Sequence, residues 1–216
     1  IRAYQTVLRD VYYHQRFPNG RDLGYDELFD ITNNKFALED IDGDGKIELL
    51  LVYTTTYNGG MAEIIYDYDN TTGGVREEFI AYPSLTYYGN GIIQAESSHN
   101  HGIGGRFWPY TLYQYNKDKD IYEEIAKVDA WDEEVTEEDS DGTVFPKEVD
   151  RNGDGLIYYI MTDGTYERKN PVDLEEYRKW QEFYIKETER IMIPYKALTE
   201  ENIDGWADIV TKEKTM

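Results

Sequence analysis

The 216-residue sequence has no cysteine, which excludes disulfides, thiolate metal sites and cysteine nucleophiles. Long apolar runs are missing as well. None approaches the roughly 20 residues of a membrane-spanning helix, and no signal-peptide pattern is present. Positive charge is scarce: 22 Lys and Arg stand against 44 Asp and Glu, for a formal net charge of −22. A surface so acidic repels phosphate backbones and anionic lipid, so neither nucleic acid nor membrane insertion of this chain is expected. Catalytic signatures are absent too, with no G-x-S-x-G elbow, phosphate loop or H-E-x-x-H zinc helix. Among 44 acidic residues no pair can be singled out for glycoside hydrolysis. The balance is against an enzyme and leaves the question open.

What the chain does have is apolar and aromatic material. Its hydrophobic fraction is 40% and its aromatic fraction 15%, with 21 tyrosines, enough for a folded core despite a mean hydropathy of −0.73. The pattern predicts a single α+β domain over 1–216, mainly an antiparallel β-meander flanked by helices. Tyr4, Val7, Leu8, Val11 and Tyr12 recur at one-face helical spacing and predict a helix within 1–17, stopped at Phe17-Pro18-Asn19-Gly20. Leu49–Tyr53 reads as a central strand covered on both faces, and Glu63–Tyr68 as an alternating one. Turn clusters at Asn58-Gly59-Gly60, Asn70–Gly74, Tyr88–Gly91 and Asn116–Asp120 punctuate short strands across 36–128. Residues 129–143 read as an acidic loop, 144–165 as a second loop with a hairpin, and 171–216 as a helical segment. Within that segment a helix over 173–189 opens on Asp173, with Glu176 completing a capping box.

The chemistry concentrates in Asp40-Ile41-Asp42-Gly43-Asp44-Gly45-Lys46-Ile47-Glu48. Calcium takes six to eight oxygens, and alternate residues of a tight loop can aim carboxylates at one ion. Asp40, Asp42 and Asp44 stand at positions 1, 3 and 5, Lys46 offers its carbonyl at 7, and Glu48 a carboxylate at 9. Gly45 permits the left-handed turn at position 6. Four acids in nine residues repel one another unless a cation answers them. Magnesium, which prefers octahedral geometry and retained waters, fits less well. The loop is not an EF-hand, because position 12 is Leu51 and the chain exits into a strand.

The segment from Phe36 to Leu50 resembles the nine-residue calcium loop of FG-GAP, or integrin-type, repeats, in which the loop lies between strands and the acidic positions bind the ion. More of the chain is similar to a group of uncharacterised surface lipoproteins of Gram-positive gut bacteria. The similar segments are Pro83–Ile93, Ser98-His99-Asn100-His101-Gly102, Phe107–Asn116 and Leu198–Asn202. That resemblance implies export to the cell surface and lipid anchoring through a cysteine upstream of Ile1. It implies no activity.

A second loop, Asp150-Arg151-Asn152-Gly153-Asp154-Gly155-Leu156-Ile157-Tyr158, repeats the spacing of the first. Tyr158 replaces the acidic ninth position, so Asp150, Asn152, Asp154 and the Leu156 carbonyl need a distant ligand to complete a shell. The separation of the two loops argues against tandem calcium repeats such as dockerins. His99 and His101 share a face if extended and could hold a transition metal or ligand, though local hydrogen bonding is the plainer reading. Tyr87, Tyr88, Phe107, Trp108, Tyr110, Tyr113 and Tyr115 invite stacking on sugars, but core packing is favoured. The expected function is a secreted or cell-surface module with structural calcium that binds a surface protein or glycan. The alternatives are a glycan-binding module and an extracellular hydrolase using carboxylates or His99 and His101.

Overall fold

Two antiparallel sheets, each with a helix packed against it, make up the chain in a computed structural model that describes residues 1–100 and 103–205. The architecture is α+β, as the sequence pattern predicts. The expected meander divides at Pro83, however, and the two halves belong to separate compact units. One comprises residues 1–83 with 192–205, the other Ser84–Ile191.

In the first unit the strands are β1 (Lys35–Glu39), β2 (Glu48–Tyr53), β3 (Ala62–Tyr68), β4 (Val75–Ala81) and the short β11 (Lys196–Ala197), ordered β11-β1-β2-β3-β4. The apolar stripe of helix α1 (Arg2–His14) is Tyr4, Val7, Leu8 and Val11. It packs on Phe36, Leu38, Leu49, Leu51, Ile64 and Tyr66, which alternate along β1, β2 and β3 to face it. Leu50 and Ile65, on the opposite face, are also fully buried, which is why β2 reads as a continuous apolar run. The turns between β2 and β3 and between β3 and β4 fall on the glycine clusters expected from sequence. The β3–β4 ladder carries an irregularity: Ile65 pairs with Phe79 and Tyr66 with Glu77, so Glu78 is the extra residue of a bulge.

In the second unit the order is β10-β5-β6-β7-β8-β9. The strands are β5 (Leu85–Tyr88), β6 (Ile92–Glu96), β7 (Tyr110–Asn116), β8 (Ile121–Asp132), β9 (Leu156–Met161) and β10 (Arg190–Ile191). Helix α2 (Leu174–Tyr184) packs Tyr177 on Tyr158, rings stacked with centroids 4.3 Å apart. Trp131, Phe145, Ile157, Tyr159 and Met161 form a second cluster.

Three local expectations need correction. Strand β8 runs to Asp132, into the segment 129–143 that reads as loop. Asp129 and Asp132 are buried there, and each has an arginine partner, Arg168 and Arg106. The predicted 173–189 helix stops at Tyr184, where Ile185 turns extended and buries its side chain. Its cap is also simpler than a capping box: the Asp173 carboxylate accepts from the Leu174 N–H, while Glu176 pairs with Arg151.

Candidate metal centre

Antiparallel pairing of β1 with β2, in which Glu39 faces Glu48, makes residues 40–47 a hairpin connection. Its course follows from its composition. Both Asp40 carboxylate oxygens accept from glycine N–H groups, Gly43 at 2.9 Å and Gly45 at 3.1 Å. Asp42 accepts from Asp44 N–H at 2.8 Å, and Asp44 from Lys46 N–H at 2.7 Å. Gly43 and Gly45 have φ of 73° and 87°, the left-handed region that a Cβ disfavours. The tyrosine hydroxyl of Tyr4, on α1, donates to the Ile47 carbonyl at 2.7 Å and pins the loop exit.

This winding brings carboxylates together. Asp40, Asp42 and Glu48 each offer an oxygen, all within 4.8 Å of one another. Asp40 is exposed, whereas Asp42 and Glu48 are 6% and 1% exposed. Burial is the main force on Glu48 and pushes its pKa up to about 9. The Ile41 N–H, donated at 3.0 Å, opposes the rise, and the charges of Asp42, Glu78 and Asp40 add to it. Of the five candidate ligands, Asp44 turns to Lys46 Nζ, 2.5 Å away, and stands outside the three-carboxylate group.

Sequence reasoning missed Glu78. It is 7% exposed, and its carboxylate approaches within 4.8 Å of Asp42's. Nothing in the local sequence around Glu78 marks it, since an acid on a strand reads as solvent-facing. The signal is the bulge, which is a property of the β3–β4 register.

The second loop has the same internal winding. Asp150 accepts from Gly153 and Gly155 N–H groups, both at 2.9 Å. Asn152 accepts from Asp154 N–H at 3.0 Å, and Asp154 from Leu156 N–H at 2.8 Å. Its charge is answered differently. Arg106 donates to the Asp154 carbonyl at 2.9 Å and to both Asp132 oxygens, at 2.9 and 2.8 Å. That guanidinium, with the Arg106 and Glu134 backbone N–H groups, holds Asp132 down to about 2 against the opposing effect of burial. Arg151 bonds Glu176 and lies 3.5 Å from Asp173. Among the described residues no group of three carboxylates or histidines forms around Asp150 and Asp154. Tyr158, at the ninth position, is buried against Tyr177.

His99 is exposed, with Nδ1 2.9 Å from the Ser98 hydroxyl; His101 lies outside the described residues. The aromatics weighed for sugar stacking are mostly interior. Tyr87, Tyr88, Tyr110 and Tyr115 are buried, while Trp108 is half exposed and donates its indole N–H to the Ser97 carbonyl.

No family model matches this chain, and no curated protein or solved structure matches it.

Proposed function

We propose that this chain is a calcium-binding module of the cell exterior in which one ion, held by the Asp40–Glu48 loop, has a structural role. The observation that carries the reading is the approach of the Asp40, Asp42 and Glu48 carboxylates to within 4.8 Å, two of them buried. Buried like charges at that distance must be neutralised by protons or by a cation. Oxygen-only donors of this kind select a hard divalent ion, and an adaptable loop favours calcium over magnesium. Asp40, Asp42 and Glu48 are the direct ligands, joined by the Lys46 carbonyl, with Glu78 adding charge from β4. Held there, the ion fastens the β1–β2 connection to a bulged strand and couples folding to external calcium.

Thermal unfolding in millimolar calcium, in magnesium and in excess chelator tests this. At a calcium concentration a hundredfold above Kd, linkage adds about 2.7 kcal/mol of stability. A calcium-selective rise in Tm is expected, and equal melting in all three buffers would contradict the reading.

A further inference from the structure

The first unit carries an apolar surface that the calcium reading does not use. Asp26 to Phe29 is a β-turn, closed by the Phe29 N–H on the Asp26 carbonyl at 3.0 Å. The Asp26 carboxylate accepts from Leu28 N–H at 3.0 Å, and the Tyr25 hydroxyl donates to the Phe29 carbonyl at 3.0 Å. At its tip Leu28 is 89% exposed, with Phe29 at 42% beside it. Tyr57, 68% exposed, lies against Gly24, where any Cβ would meet its ring at 3.3 Å.

That exposure is built rather than slack. Asp26 N–H donates to the Thr55 carbonyl at 3.1 Å, Thr56 Oγ1 to the Leu23 carbonyl at 2.7 Å, and Tyr53 Oη to the Gly24 carbonyl at 3.0 Å. The turn is thus bonded to the β2–β3 connection on one side while its large apolar side chains face water. Exposed apolar side chains held on a hydrogen-bonded turn make a patch suited to recognition, and that rigidity lowers the entropy cost of binding. The charge of the surrounding segment sets the chemistry of the occupant. Residues 22–34 contain Asp22, Asp26, Glu27 and Asp30 and no lysine or arginine. A second copy would bring the same negative field, and anionic lipid would be repelled. A cationic partner is attracted, and its apolar side chains find the patch.

We propose that the 22–30 turn, with Tyr57, docks a lysine- or arginine-rich segment of another protein that anchors through apolar side chains. The surface lies apart in sequence from the calcium loop, and the proposal stands whether or not that loop takes an ion.

The test pans a displayed library of random twelve-residue peptides against the full chain, in calcium and again in chelator. Affinities of the selected peptides are then compared between the chain and a Leu28→Ser/Phe29→Ser variant, whose charge is unchanged and whose Tm checks its folding. The expected peptides combine Lys or Arg with Leu, Phe or Trp. They bind in both buffers, weaken with salt and lose at least tenfold in affinity for the variant. Equal affinity for the variant would mean that net charge alone draws them and would overturn the proposal. So would a selection that returns no peptide or none of that composition. Neutral-glycan binding or self-association that vanishes in the variant would assign the surface to that occupant and overturn it equally.

Discussion

The loops at 40–48 and 150–158 wind their backbones the same way and answer their charge in opposite ways. In both, the first aspartate takes two glycine N–H groups and the third and fifth positions each take the N–H two residues on. Gly43 and Gly45 have φ of 73° and 87°, Gly153 and Gly155 of 72° and 75°. The winding is turn chemistry that Asp, Asn and Gly supply by themselves. What separates the loops lies around it. The first turns Asp42 and Glu48 inward beside Glu78, and all three are buried. The second has a buried tyrosine where Glu48 would be, and two arginines bonded to the loop and its neighbours. Spacing alone therefore identifies a turn. Whether the turn is a metal site depends on where its surplus negative charge is compensated.

If arginine does in the second loop what a cation does in the first, the largest effect should come from removing it. Arg106→Ala strands the Asp132 carboxylate, 1% exposed, and should lower the denaturant midpoint more than any other single change proposed for this loop. The cost should be the same in calcium and in chelator. A loss that calcium repairs would make the two loops alike. The acid limb of stability sharpens the contrast. Asp132 is held down to about 2 by Arg106, so its contribution is present above the unfolded carboxylate range and is lost as pH falls from about 4 toward 2. Asp132→Asn should remove about 2 kcal/mol of that fall, and an unaltered acid limb would count against the pairing. A smaller effect is expected at the bulge. Glu78→Gln should weaken calcium binding roughly tenfold, about 1.4 kcal/mol; undiminished affinity would remove Glu78 from the site.

Much of this was legible in the sequence, and the reasons differ by element. Glycine and asparagine clusters locate the hairpin turns, and at Gly73 and Gly91 the backbone is left-handed, with φ of 72° and 77°, which a Cβ disfavours. The α1 stripe and the β2 run announce burial directly. Residues 129–132 misread as loop because aspartate signals solvent, and the arginines that make it a strand residue come from distant positions, Arg106 and Arg168. The division at Pro83 into two sheets left no periodicity to read, since both halves alternate alike. Asp40, Asp42 and Glu48 could be named from spacing. Asp44's turn toward Lys46 and Glu78's approach from β4 depend on side-chain competition and ladder register, which a one-dimensional pattern does not carry.

The central claim, one calcium per chain at the first loop, meets its most direct test in calorimetric titration of the metal-free chain with calcium. Wild type and Asn152→Ser should each bind one equivalent, and Glu48→Gln should bind none. Two equivalents in wild type, or binding that survives in Glu48→Gln and fails in Asn152→Ser, would contradict the account.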